Sequence, residues 1–201
     1  MRVHELVVCA VLLVGAGAMT AQMPMGGAKA EPAVGSMADP VKAIDSQLDL
    51  IEGELMGAVK AMPADKYDFA PSQAIFAPSQ KTEFATVRTF GQQAAHVAQA
   101  NYFFYSIVSG MAMDPSVAGI SKLTKKDDIV AALAGSFAYA RKAIATITAA
   151  NAFEVVKSPE PGMLATRATI AQFAISHAND HYGQMVEYLR MNAVVPPAST
   201  K

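Results

Sequence analysis

Three histidines, His96, His177 and His181, are the residues of this chain best suited to hold a metal ion, and the last two lie four positions apart in a segment of helical periodicity. Positions i and i+4 stack on one face of a helix. Two imidazoles so placed can converge on one ion while a third arrives from another helix. Three neutral nitrogen ligands leave a coordination position open, which separates a catalytic metal site from a closed structural one. Polar residues lie one turn away: Asp180 is three from His177, Gln184 three from His181, Gln92 four before His96 and Gln99 three after it. Asp180 is the first candidate for a general base, although polar residues at such positions more often face solvent. Phe103 and Tyr188, seven after His96 and His181, are candidates for a pocket wall, although aromatic residues at that spacing more often belong to the core. A second reading stays open on spacing alone. Imidazoles without partners in an apolar core would cost roughly a few kcal/mol each, so they could instead bond backbone carbonyls or a neighbour such as Asn101, Tyr102 or Gln184.

The remaining composition removes other chemistries. Sixteen Lys and Arg against seventeen Asp and Glu give a net charge of −1 without a basic run, which excludes a nucleic-acid footprint. There is no Gly-rich phosphate loop, no nucleophilic Ser or Cys motif and no pair of catalytic carboxylates. The fourth histidine, His4, falls in a leader in which Arg2 precedes the apolar run Leu6 to Val14 and Ala16-Gly17-Ala18 follows it. That run is too short to cross a bilayer stably and reads as a signal peptide, residues 1–21, cut between Ala18 and Ala21. Cleavage would remove Cys9, the only cysteine. The expected product is an exported protein, periplasmic or extracellular, without stable membrane insertion, without disulfides, and with only nitrogen and oxygen ligands to offer a metal. Residues 22–38 are Gly, Ala, Met and Pro without periodicity and read as a flexible linker.

Four stretches of three-and-four apolar spacing must position the histidines. Asp39 as N-cap and Pro40 at the first helical position begin the first, with Val41, Ile44, Leu48, Ile51, Leu55 and Val59 as its stripe to about Met62. The second runs Val87, Phe90, Ala94, Val97, Phe104, Val108 with His96 on its flank and ends at Gly110. The third starts at Thr124 with Asp127 in a capping-box arrangement and runs to near Asn151. The fourth extends from about Leu164 or Thr166 to Met191, with Asn192 in a left-handed cap ahead of Pro196-Pro197. Four amphipathic helices and no alternating pattern predict an all-α chain, an antiparallel-type four-helix bundle.

The stretch from His177 through His181-Tyr182-Gly183-Gln184, Tyr188-Leu189-Arg190 and Pro196-Pro197 resembles the last helix of the DinB-like (damage-inducible) four-helix metalloprotein family. Met62-Pro63-Ala64-Asp65-Lys66-Tyr67 resembles that family's segment after its first helix, and Val87 to Val97 resembles the stretch delivering its other histidine. The resemblance spans residues 39–198 and implies one domain there. It implies a bundle of variant up-and-down topology, a divalent metal (zinc, nickel or iron) on His96, His177 and His181, and often a homodimer. It does not fix a reaction. Some relatives are thiol-dependent transferases and isomerases, and others have no known activity; the family's name implies no DNA chemistry. The expected function is therefore a metal-dependent hydrolase or transferase acting on a small molecule, with hydrolysis first, because reduced thiols are scarce outside the cell. The alternative is a metal-binding or stress protein of the cell envelope without catalysis.

Overall fold

The computed structural model describes residues 31–81, 83 and 86–200. The leader and most of the linker expected before residue 38 lie outside the described residues. The chain divides into two units, Met1–Ser36 and Met37–Lys201. The described part of the first holds one turn, closed by Ser36 N–H on Ala33 O at 3.0 Å. Among the described residues, all α-helices belong to the second: α1 (Pro40–Ala61), α2 (Phe90–Ser109), α3 (Lys126–Ile144) and α4 (Arg167–Met191). Among the described residues no helix is long and apolar enough to cross a membrane.

Side-chain chemistry sets most helix ends. The Asp39 carboxylate accepts from Lys42 N–H at 3.1 Å, and Pro40 opens α1 where its missing N–H costs nothing. Leu48, Ile51, Leu55 and Val59 then form its buried stripe. Pro63 ends the helix, and Tyr67, buried in the following strap, donates its hydroxyl to Val59 O at 2.6 Å. That strap also receives α2: Phe90 N–H bonds Phe69 O at 2.8 Å and Gly91 N–H bonds Tyr67 O at 2.9 Å. A side chain at 91 would lie 3.1 Å from the Tyr67 ring and 3.2 Å from its carbonyl oxygen, so glycine is what lets the strap reach α2. Thr89 and Gln92 form a capping box at the start of α2, and Gly110 closes it at φ 74°.

Three expected ends differ. Thr124 does not cap α3, which begins at Lys126 without a side-chain cap. Lys126 instead sends its ammonium to α1's terminal carbonyls, Lys60 O at 2.8 Å and Met62 O at 2.7 Å. Starting there places a cation at a helix C-terminus, where the macrodipole favours it. α3 also stops at Ile144 rather than near Asn151, because Asn151 Oδ1 accepts from Thr148 N–H at 2.6 Å and Asn151 Nδ2 donates to Thr146 O at 3.0 Å. Asn and Thr side chains compete with helical backbone bonds in this way. Ile147 stays buried beyond the helix, which is why the periodicity runs on. After α4, Asn192 is not left-handed (φ −102°); Ala193 takes that region at φ 59°. The Asn192 amide caps Tyr188 O at 2.9 Å instead.

Helix directions follow from cross-helix bonds. The start of α3 meets the end of α1 through Lys126, and the end of α3 meets the start of α1 where Arg141 pairs with Asp45 at 2.9 Å, Asp49 at 2.6 Å and Glu52. α1 and α3 are antiparallel. α2 and α4 are antiparallel too, since Gln93 bonds Gln184 at 2.8 Å while Arg167 bonds Val108 O at the other end. α2 and α3, however, are parallel: Asn101 bonds Ser136 at 3.1 Å, and Tyr139 bonds Met111 O at 3.0 Å further along both. The all-helical expectation therefore holds, but the antiparallel arrangement fails for this pair. A parallel neighbour needs a connection that returns along the bundle, and residues 110–125 supply it with a 3-10 helix, Pro115–Lys122, packed on α2. α1 packs on α3 and α4, as does α2, so α1 and α2 face each other across the diagonal.

Replacing Lys126 by methionine should keep the packing stem and lose the two carbonyl contacts. The expected cost is about 1 kcal/mol, a Tm lower by ~2–4 °C. A thermal melt beside Lys126→Arg, which keeps the charge, checks it.

Candidate metal centre

The antiparallel α2–α4 pair sets the first half of α2 against the middle of α4, and this brings His96 to His177 and His181. His177 Nε2 lies 3.2 Å from His96 Nε2 and 3.2 Å from His181 Nε2. Potential ligand atoms of all three lie within 4.8 Å of one another. Nitrogens each ~2.0–2.1 Å from a tetrahedral ion stand about 3.3–3.4 Å apart, so the donor set fits a divalent cation such as zinc.

Hydrogen bonding alone serves these rings poorly. A neutral imidazole nitrogen carries either a proton or a lone pair, so His177 Nε2 cannot donate to both neighbours. The other partners offered by the sequence are engaged elsewhere. Asn101 donates to Ser136 Oγ, and Gln184 bonds Gln93 and Asp180. Tyr102 lies against Tyr139, ring centroids 5.0 Å apart. The buried Nδ1 atoms of His177 and His181 have no partner among the described residues. With the Nε2 atoms of His96 and His181 each 3.2 Å from that of His177, a cation among them would relieve the contact that hydrogen bonds leave unresolved.

Protonation favours the same outcome. Burial, the Arg88 charge and the other two rings lower the His96 pKa to about 4. Burial first, then His177, lower His181 to about 4, against an upward pull from Asp180. His177 is lowered by burial as well. All three rings are therefore neutral at pH 7, with lone pairs free for a metal. Metal-free protein should lose stability as pH falls from about 6.5 towards 4, because the unfolded chain takes protons at the ordinary histidine value before the folded one does. Below about 4 this contribution is gone. Chemical denaturation of chelator-treated protein at pH 7.5, 5.5 and 4.5 measures it, and the metal-loaded protein should fall more steeply because protons also displace the ion.

The surroundings are partly as the sequence suggests. His96 opens on a cavity of about 310 Å³ walled by Arg88, Gln92, Ala95, Gln99 and Ser121. Gln92 and Gln99 are thus in the wall, but each also has a structural bond: Gln92 Oε1 accepts from Thr89 N–H at 3.0 Å, and Gln99 Nε2 donates to Val117 O at 3.1 Å. Asp180 is exposed on α4, accepts from Gln184 Nε2 at 3.1 Å and does not line that cavity. Phe103 is exposed and borders a different hollow with Met113, Pro115 and Val117. Tyr188 is buried, packs edge-on to Phe69 and donates to Arg88 O at 3.1 Å, so it fixes the entrance to α2. Phe104, by contrast, meets the His177 ring edge-on at 5.4 Å. Sequence reasoning passed over Arg88, Gln93 and Ser121. Gln93 carried a usable signal, three residues before His96 and on its face. It is 3% exposed, with its Oε1 buried and unpartnered. Ser121 carried none, since only the fold of the returning connection brings it to His96.

The fold resembles that of a DinB-like protein from Bacillus cereus ATCC 10987, with a TM-score of 0.62 over 78% of this chain and 95% of that one, at 13% sequence identity. A likeness at that identity speaks for the fold alone. A search of curated proteins finds no match. The family model of the DinB superfamily matches residues 47–185, most of the chain, and its span includes His96, His177 and His181. This chain belongs to the DinB superfamily.

Proposed function

We propose that the protein is a metal-dependent enzyme, a hydrolase before a transferase, that works on a small molecule with a divalent zinc, nickel or iron ion held by His96, His177 and His181. The observation that carries this reading is the 3.2 Å convergence of the Nε2 atoms beside a cavity walled by one of the same residues. Such an ion supplies Lewis acidity, polarising a carbonyl and bringing the pKa of a bound water near 7. The chain's part is to keep three imidazoles neutral and oriented, with Phe104 holding the His177 ring against its edge. Asp180 acts on His177 and His181 through its charge, from outside the cavity wall. The leader supports export, and export disfavours a thiol-dependent transfer. A homodimer is part of the same proposal and rests on the family resemblance.

One observation favours the alternative, an envelope metal-binding protein without catalysis: the carboxylate nearest in sequence to the ligands, Asp180, is exposed and tied to Gln184. Cobalt(II)-substituted protein separates the two. An open site should change its visible spectrum on adding azide, and a spectrum indifferent to azide would favour the non-catalytic reading.

A further inference from the structure

The cavity beside His96 has a wall of one electrical character. Arg88 brings a guanidinium, and the only other ionisable side chain in the wall is the His96 imidazole. Arg88 is exposed and forms no ion pair among the described residues, so its guanidinium is free to meet a ligand there. Gln92 gives its Oε1 to Thr89 N–H, which leaves its amide N–H groups to donate, and the Ser121 hydroxyl makes no hydrogen bond among the described residues. Gln99 spends one amide N–H on Val117 O and keeps the other. The wall therefore offers a planar cation and several spare donors, with no carboxylate facing them. That combination suits a carboxylate or phosphate group, which accepts two parallel bonds from an arginine fork.

The start of α2 does not provide this attraction. Gln92 N–H is bonded to Thr89 Oγ1, and Phe90 and Gly91 N–H to the carbonyls of Phe69 and Tyr67, so the first-turn amides are already used. The charge must come from the Arg88 side chain. It reaches the imidazoles too, since Arg88 pushes His96, His177 and His181 towards the neutral form. Asp180, the carboxylate acting on His177 and His181, stands on α4 and bonds Gln184.

We propose that this cavity is an oxyanion subsite, in which Arg88, aided by Gln92, Gln99 and Ser121, anchors the carboxylate or phosphate end of a small substrate beside His96. Its role as a substrate anchor rests on the metal-centre reading, but its affinity for an oxyanion does not. Arg88 is the specificity element. A cavity of about 310 Å³ admits an acid of a few carbons, and a compound that matches it in size but lacks the charge should be refused.

Succinate, inorganic phosphate and the uncharged succinamide serve as probes, titrated calorimetrically and by histidine-ring NMR into the protein as purified and after chelator treatment. Succinate or phosphate should bind and move the His96 ring signals, succinamide should not, and the tighter of the two anions identifies the substrate's charged group. Arg88→Gln should weaken that binding at least about tenfold at unchanged metal content. The substitution keeps the backbone carbonyl that Tyr188 uses, so an unchanged melt shows that the fold is intact. Arg88→Lys, which keeps the charge without the fork, should fall between. Equal binding by wild type and Arg88→Gln, equal binding of succinamide, or no binding of either anion to wild type would overturn the subsite. Chelator-treated protein should still bind succinate through Arg88, whereas protein that purifies without metal after growth with zinc, nickel and iron supplied, yet binds succinate through Arg88, would defeat the metal-centre reading and leave the subsite standing.

Discussion

His181→Ala should purify with less than about a tenth of the metal that the wild type carries and should melt well below it. Loss of an outer partner of a metal ligand already costs ~10–100-fold in affinity, and loss of one of three ligands should exceed that. Holding the ion at one hundred times its dissociation constant stabilises the folded state by about 2.7 kcal/mol, all of which the variant forgoes. His181 is also 6% exposed, so alanine leaves a void between α2 and α4. The two effects separate with a chelator. Wild-type protein should melt lower in its presence, whereas the variant should not change. Equal chelator shifts in both would remove His181 from the ligand set.

Phe137→Ala should cost about 3–5 kcal/mol, a Tm lower by ~6–20 °C for a domain of this size, and should leave metal binding intact in the folded fraction. Phe137 is fully buried on α3, the one helix that faces α1 and α2 but presents no ligand. Large-to-small changes there lose apolar burial and leave a cavity that close-packed neighbours fill poorly. Phe137→Leu should recover most of the loss. The measurement is a denaturation curve with metal content taken on the same sample. A loss under about 1 kcal/mol would mean that the α1–α3–α2 core collapses around the void. Metal lost from protein that remains folded would mean that α3 sets the ligand geometry.

The helices were legible because their apolar stripes and caps carry the information locally. Asp39 and Pro40 open α1 where the sequence places them, and Gly110 closes α2. The failures are those of competing local bonds: Asn151 and Thr148 fold into a turn that the periodicity of Ile147 conceals, and Lys126 rather than Thr124 governs the start of α3. The parallel α2–α3 pair was illegible because the four stripes read alike whichever way each helix points. Its sign in the sequence was the length of the segment between them, enough to run back along α2. The histidine constellation was legible because i and i+4 is itself a geometric statement, and the resemblance named the helix for the third member. The cavity was not, since its wall comes from the residues before α2, from α2 and from the returning connection, three pieces that only the tertiary fold assembles. Asp180 and Phe103 show the converse: at three and seven residues from a histidine they share its part of the helix surface, yet each turns outward.

Elemental analysis of the untagged protein, grown with zinc, nickel and iron supplied, decides whether His96, His177 and His181 hold one divalent ion. Close to one ion per chain is expected, lost in His96→Ala as in His181→Ala. No metal in any preparation, or equal metal in wild type and both variants, would contradict it.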